Sequence, residues 1–237
     1  MINKIWNWVY PPRCLVCDRV LDVETEIVCE RCRSLGLPER VREPICKCCG
    51  KPIGDKRREF CYDCANGKHS FLQVRSVFVY RGMEEAMFRF KDKNRRVLKE
   101  YFSLELAQVL QNVLPIWTPD VLMPIPLHAG KRRMRGYNQA ELLAESLSKK
   151  TGILVNVSAL VRTQRAVDQK RLSSVERRTN LRNAFALKEP QGLAGKRILL
   201  VDDVYTTGST MDAAADILRK SGAQAVFFVT VCTGKGY

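Results

Sequence analysis

The chain has 237 residues, 46% hydrophobic and 27% charged, a balance that suits a globular protein with one α/β domain and a small appendage and argues against disorder. Forty Lys and Arg against 25 Asp and Glu give a formal net charge of +15, which favours an anionic partner over an acidic surface. No run approaches the roughly 20 apolar residues of a membrane span, and Met1 to Trp8 is too short and polar for a secretory signal, so a cytoplasmic setting is expected.

The first feature along the chain is a cysteine repeat. Cys14/Cys17 and Cys29/Cys32 are followed, each 32 residues later, by Cys46/Cys49 and Cys61/Cys64, so that C-x2-C-x11-C-x2-C occurs twice. In a reducing compartment these thiols stay unpaired, and metal ligation is the leading reading. A C-x2-C turn places two sulfurs on one side of a tight loop, and two such turns close a tetrahedral thiolate cage with no open position. Structural zinc, one ion or two, is therefore expected, and its removal should unfold the first 70 residues or so. The spacing leaves open whether each repeat holds its own ion, whether the knuckles interleave, or whether one set alone is loaded. Cys48 offers an alternative frame within the third knuckle, while Cys232 reads as a small buried side chain in an apolar strand.

Past Cys64 the composition turns regularly apolar, and a boundary falls at about residue 75, giving a zinc-binding domain over 1–75 and a second domain over 76–237. Strands are predicted over Val77–Tyr80, Asp120–Pro124, Ala159–Arg162, Ala184–Leu187, Arg197–Val201 and Ala225–Cys232. Helices are predicted over Arg95–Val113, Asn138–Lys150 and Ser209–Lys220. Alternation of strands and helices indicates an α/β fold, a mostly parallel sheet with helices on both faces. In such sheets ligands collect beyond the carboxyl ends of the strands.

Residues 125–182 carry 13 basic and 4 acidic side chains, a local surplus of nine that fits either an anion-binding stretch or a solvated basic surface. Within it, Leu122 to Gln139 begins at a strand end, passes through a basic loop with Lys131, Arg132, Arg133 and Arg135, and enters a helix. His128 in that loop can supply a proton or a contact, or be a plain exposed histidine.

The most informative stretch is Arg197 to Thr210, RILLVDDVYTTGST. An apolar strand delivers Asp202 and Asp203 at its carboxyl end, and a hydroxyl-rich loop then opens into a helix. Backbone N–H groups of Thr206 to Ser209, at the positive end of the helix dipole, suit a phosphate dianion, with Ser209 or Thr210 as the cap. Gly208 lets the backbone approach closely. The paired carboxylates suit vicinal ribose hydroxyls. No G-x-G-x-x-G fingerprint is present, which disfavours a dinucleotide fold.

This stretch resembles the PRPP-binding signature of type I phosphoribosyltransferases. The resemblance implies that Asp202 and Asp203 are the catalytic pair on the ribose hydroxyls, and that Thr206, Thr207, Gly208, Ser209 and Thr210 hold the 5′-phosphate. It also implies that Lys131, Arg132, Arg133 and Arg135 meet pyrophosphate together with magnesium, and that the Arg162–Phe185 segment takes the place of the family's mobile catalytic loop. A plain surface loop and helix is the other reading of that segment.

The knuckles, the Pro124-Ile-Pro126 and Arg135-Gly-Tyr-Asn-Gln139 blocks, the Gln169/Arg178/Asn180-Leu181/Phe185 block and the final motif, in this order, resemble the ComF (ComFC/GntX-like) family along nearly the whole chain. That resemblance implies a PRPP-binding protein of DNA uptake and natural competence, with single-stranded DNA and competence-machinery proteins at the inner membrane as partners. Tyr137 or the Trp6/Trp8/Tyr10 cluster can stack on bases, the other reading of the three N-terminal aromatics being that they pack on the zinc domain or touch a membrane face or partner. The alternative is a metabolic phosphoribosyltransferase that moves phosphoribose from PRPP to a nitrogen acceptor. The chain begins Met1-Ile2, so kinship with glutamine-using relatives covers only their PRPP half, and no hood segment selects a nucleobase.

Overall fold

The computed structural model describes residues 11–21, 26–163, 184–188 and 190–235. In chain order these form α1 (Glu30–Ser34), α2 (Tyr62–Asn66), β1 (Gln73–Val79), α3 (Glu84–Asp92), α4 (Leu98–Gln111) and α5 (Leu114–Trp117). There follow β2 (Val121–Pro124), α6 (Ala129–Arg135), α7 (Gln139–Thr151), β3 (Leu160–Arg162), β4 (Phe185–Leu187), β5 (Arg197–Tyr205), α8 (Ser209–Lys220) and β6 (Ala225–Thr233).

The main sheet has the order β1-β6-β5-β2 and every pairing is parallel. Beyond β2, Val155 adds a parallel bridge to Leu122. The central strands read as near-continuous apolar runs because both their faces are covered. All nine residues of β6 are buried. Ile198, Leu200, Val226 and Phe228 point to one layer, with Met211, Ala214 and Leu218 of α8. Leu199, Val201, Phe227 and Val229 point to the other, with Phe90, Phe102, Leu106, Leu143 and Leu147 from α3, α4 and α7. Inside the sheet, Ser76 and Thr230, register partners on β1 and β6, share a hydroxyl hydrogen bond of 2.7 Å.

The two cysteine repeats straddle the outer edge of this sheet. Between them, Glu39 to Val41 runs antiparallel to β1: Val41 N–H donates to the Val77 carbonyl at 2.9 Å and Val79 N–H to that of Glu39 at 2.8 Å. This linker covers an edge that would otherwise offer unpaired backbone groups. The second repeat lies on one face, where Cys46, Cys49, Ile53 and Cys61 join the same apolar cluster as Phe228 and Met211. The first repeat is on the other face and is gripped by Arg89 of α3. That guanidinium is 6% exposed and donates to the carbonyls of Leu15 at 2.5 Å and Val16 at 3.3 Å, with Asp18 Oδ1 at 2.6 Å.

Three elements differ from the expectation. Helix α3 was not predicted; its apolar stripe of Ala86, Met87 and Phe90 is interrupted by Arg89, whose burial is meaningful only once the first repeat is folded against it. The basic segment read as a loop contains a short helix, α6, closed by Gly136 at φ +76°. Finally, β3 and β4 pair with each other in antiparallel register and stand apart from the main sheet. Three residues each, they present too little two-sided apolar surface for a central position.

Candidate functional site

Strand β5 lies between β6 and β2, and its chain leaves towards β6 through α8 on one face, whereas β2 leaves towards Val155 through α7 on the other. The crevice beyond the carboxyl ends of β2 and β5 is thus a topological switch point, the usual ligand position in open α/β sheets. Asp202 and Asp203 fall at that end of β5, both partly buried.

The two carboxylates have different surroundings. Asp203 Oδ1 pairs with Lys91 Nζ at 2.9 Å. Burial alone would lower the Lys91 pKa, but the charge and hydrogen bond of Asp203, with the charge of Asp202, outweigh it and raise it above the usual ammonium value. Asp202 Oδ1 accepts the Asp203 backbone N–H at 2.8 Å. Desolvation, followed by the charge of Asp203, pushes the Asp202 carboxyl up to about 8. Near neutrality the pair therefore offers a proton donor beside an acceptor anchored by an ammonium.

That raised pKa has a consequence for folding. Native Asp202 keeps a proton that the unfolded chain releases above about pH 4, so its contribution is complete below that pH and is lost as pH rises towards 8. Asp202→Asn, which cannot ionise, is expected to flatten the decline in stability between pH 5 and pH 9. Urea midpoints of both proteins across that range check this, and parallel profiles would refute it.

Downstream, Thr206 and Thr207 are exposed, Gly208 is buried, and Ser209 and Thr210 are partly buried. Neither Ser209 nor Thr210 caps α8, contrary to the expectation. Gly208 is the N-cap, at φ +82°, and no side chain bonds the helix end; the Ser209 hydroxyl is 3.1 Å from that of Thr207 instead. A glycine cap leaves the first-turn amides available to an anion. The position tolerates nothing larger, since a Cβ at Gly208 would lie 2.7 Å from the Tyr205 hydroxyl. Gly208→Ala should cost about 1–2 kcal/mol from the left-handed backbone alone and lower the melting temperature by roughly 2–8 °C for a chain of this size. An unchanged melting curve would contradict this.

On the β2 side, α6 displays Lys131, Arg132 and Arg133 to solvent, while Arg135 is drawn inward, its Nε 2.9 Å from Asp92 Oδ1 and one terminal nitrogen 3.2 Å from Gln139. Arg132 pairs with Glu141 at 3.1 Å. His128 caps α6 by accepting the Gly130 N–H at 3.2 Å through Nδ1. The Tyr137-Asn138-Gln139 block is architectural: Asn138 donates to the Ile125 carbonyl, and Tyr137 and Gln139 bond the carbonyls of Phe90 and Lys91. Tyr137 is 7% exposed and lies under Arg96, so it is not a stacking platform for bases. Trp6, Trp8 and Tyr10 lie outside the described residues, as do 164–183 of the segment from Arg162 to Phe185.

Two residues of the site went unread in the sequence. Lys91 comes from the unpredicted helix α3; the helical spacing of Ala86, Met87 and Phe90 was its available signal. Arg162, at the end of β3, lies over the Phe185 ring at 5.4 Å, and its Nε has no hydrogen-bond partner among the described residues. Burial lowers its pKa and the charge of Asp202 opposes the shift, so it lies within electrostatic reach of the carboxylate pair.

The cysteines settle into two separate groups, Cys14/Cys17/Cys29/Cys32 and Cys46/Cys49/Cys61/Cys64, each with its sulfurs within 4.8 Å of one another. Repeats therefore do not interleave. The Cys17–Cys29 and Cys49–Cys61 sulfurs are each 3.6 Å apart, close to the edge of about 3.8 Å in a tetrahedron with 2.3 Å Zn–S bonds. Both donor sets fit a structural zinc ion.

A parallel sheet with twin acids at a switch point, an uncapped glycine turn after them and thiolate cages on its flanks defines a phosphoribosyltransferase-fold protein with zinc ribbons. The family model described as Phosphoribosyl transferase domain matches residues 115–237, more than half of the chain, and the chain belongs to that family. A Double zinc ribbon domain model matches residues 5–65.

Over most of its length the chain is similar to proteins of the ComF type. Competence protein F of Haemophilus influenzae is 28% identical over 90% of this chain and 93% of its own length. Competence protein ComFC of Bacillus subtilis is 29% identical over 95% and 96%, and the DNA utilization protein YhgH of Escherichia coli 29% over 94% and 97%. Among solved structures, the glutamine PRPP amidotransferase of B. subtilis, complexed with ADP and GMP, overlaps 60% of this chain and 30% of its own, with a TM-score of 0.42 and 17% identity. The purine phosphoribosyltransferase of Pyrococcus horikoshii overlaps 60% and 85%, with a TM-score of 0.36 and 18% identity. No helix among the described residues is long and apolar enough to cross a membrane.

Proposed function

We propose that this ComF-type protein binds PRPP at the carboxyl end of β5 and uses that binding in handling single-stranded DNA during uptake. In this reading residues 1–75 are the zinc-binding module and 76–237 the sugar-phosphate domain. The observation that carries it is the sequence of groups along one crevice: Asp202 and Asp203, then a turn with free amides at Gly208, opening into α8.

Asp203, anchored by Lys91, accepts a ribose hydroxyl, and Asp202 takes its neighbour. Amides of Thr206 to Thr210 and their hydroxyls receive the 5′-phosphate. Lys131, Arg132, Arg133 and Arg135 face the pyrophosphate end, Lys131 and Arg133 exposed, Arg132 paired with Glu141 and Arg135 with Asp92. Oxygen donors of the pair, with Asp202 giving up its proton to the incoming cation, suit magnesium, which would be held with the ligand's own oxygens and would supply charge stabilisation to the pyrophosphate.

Thermal stabilisation by PRPP with Mg2+ tests the binding step, because a ligand of the native state alone must raise the melting temperature. The exposed cations of α6 support a DNA contact on the same edge of the sheet. An oligonucleotide anisotropy titration is expected to show affinity falling about fifty-fold between 50 and 200 mM salt if about four phosphates are neutralised. Binding that is absent at low salt, or indifferent to salt, would remove the DNA half of the reading. Pyrophosphate release with a nitrogen acceptor would favour metabolic phosphoribosyl transfer instead.

A further inference from the structure

A third set of donors shares Cys64 with the second cage and adds Cys48 and His69, two residues that serve neither the fold's two zinc sites nor the sugar-phosphate crevice. Cys48, Cys64 and His69 bring two sulfurs and Nε2 within 4.8 Å of one another, all three residues being half-buried. His69 Nε2 is 3.4 Å from Cys64 Sγ, close to the N–S edge of about 3.6 Å in a tetrahedral zinc site. The ring is fixed in place. Its Nδ1 is 2.8 Å from Asp212 Oδ2, Asp212 Oδ1 accepts the Ser70 N–H at 2.9 Å, and the imidazole stacks on Phe71 at 4.5 Å. A carboxylate on the far N–H and a lone pair turned towards sulfur is the arrangement of a metal-bound imidazole.

Hydrogen-bond accounting leads to the same place. As a ligand of the second cage, Cys64 is a thiolate and has no proton to give. If neutral His69 donates its Nδ1–H to Asp212, its Nε2 meets that thiolate with a lone pair. A cation shared by Cys64, His69 and the adjacent Cys48 satisfies all three donors together. It also relieves charge: a closed four-thiolate zinc cage carries −2, and adding the Cys48 thiolate with a second divalent ion brings the assembly to −1.

We propose that Cys48, Cys64 and His69 hold a second metal ion beside the one in the Cys46/Cys49/Cys61/Cys64 cage, with the Cys64 thiolate bridging the two. Asp212 is the outer carboxylate that orients His69, and water completes the coordination. Two sulfurs and an imidazole select zinc or a comparably soft divalent ion over magnesium or calcium. Because Asp212 sits in the first turn of α8, the centre joins the second ribbon to the helix that follows the Gly208 turn.

The test uses the full chain. Native mass spectrometry after saturation with Zn2+ is expected to give three ions per wild-type chain and two in His69→Gln and in Cys48→Ser. With Co2+, the third equivalent should add sulfur-to-metal charge-transfer absorption and diminish the electron-spin signal of its neighbour through the shared thiolate. A wild-type chain that saturates at two ions overturns the proposal, even if a variant fails to fold. So does a third ion retained in both variants, which would have to bind elsewhere. Two ions together with a doubly protonated His69 in 15N spectra would replace the metal by an N–H donor to Cys64.

Discussion

Asp203→Asn is expected to reduce the thermal stabilisation that PRPP with Mg2+ confers on the wild-type chain and to weaken binding by about 10- to 150-fold. A hydrogen bond to a charged group contributes about 1.5–3 kcal/mol, and in the proposed reading this carboxylate, held by Lys91 at 2.9 Å, accepts from a ribose hydroxyl. The amide keeps one acceptor but loses the charge, leaving a partly buried ammonium without its counter-ion. Isothermal titration of PRPP into both proteins measures the loss, and melting without ligand separates it from a folding defect. Lys91→Met should weaken binding less, because it acts by positioning Asp203. Equal PRPP affinity in wild type and Asp203→Asn would remove the crevice from consideration as a pentose site.

Loss of zinc is expected to act unequally at the two cages. Cys46, Cys49 and Cys61 belong to the same buried cluster as Ile198, Leu200 and Phe228 of the sheet. The first cage has its own small cluster of Cys14, Val16, Leu21, Cys29 and Cys32. Structural zinc contributes about 10–16 kcal/mol in small domains, comparable to the roughly 5–15 kcal/mol that separates a whole domain from its unfolded state. Cys49→Ser or Cys61→Ser should therefore leave no cooperatively folded protein at 37 °C. Cys17→Ser, at an exposed position of the first cage, should loosen that ribbon and leave the sheet's transition in place. Circular dichroism melts with zinc content measured in parallel distinguish the two, and equal effects from both cages would contradict the division of the core.

Much of the chemistry was readable before any coordinates. The 32-residue offset between cysteine sets requires only that a thiolate cage needs four sulfurs on tight turns, and both cages form as spaced. The run Ile198 to Val201 ends in acids because a strand covered on both faces can hold charge only where it leaves the core. Helix α8 began and ended where its periodicity said, at Ser209 and Lys220. Its cap did not follow, because Gly208 took the left-handed position and left the hydroxyls free.

What local pattern determined was the type of each element and the chemistry its residues suit: thiolates that fit zinc, and twin acids and a glycine turn of the kind proposed above for a sugar phosphate. Which groups meet was decided by the tertiary structure. Lys91 reaches Asp203 across 112 positions of sequence, Arg89 bonds the Leu15 carbonyl of the first cage 74 residues away, and His69 links Cys64 to Asp212. Sequence periodicity reports only neighbours within a few residues along one element, whereas these contacts arise when separate elements share a buried edge and a low-dielectric interior makes each charge find its partner.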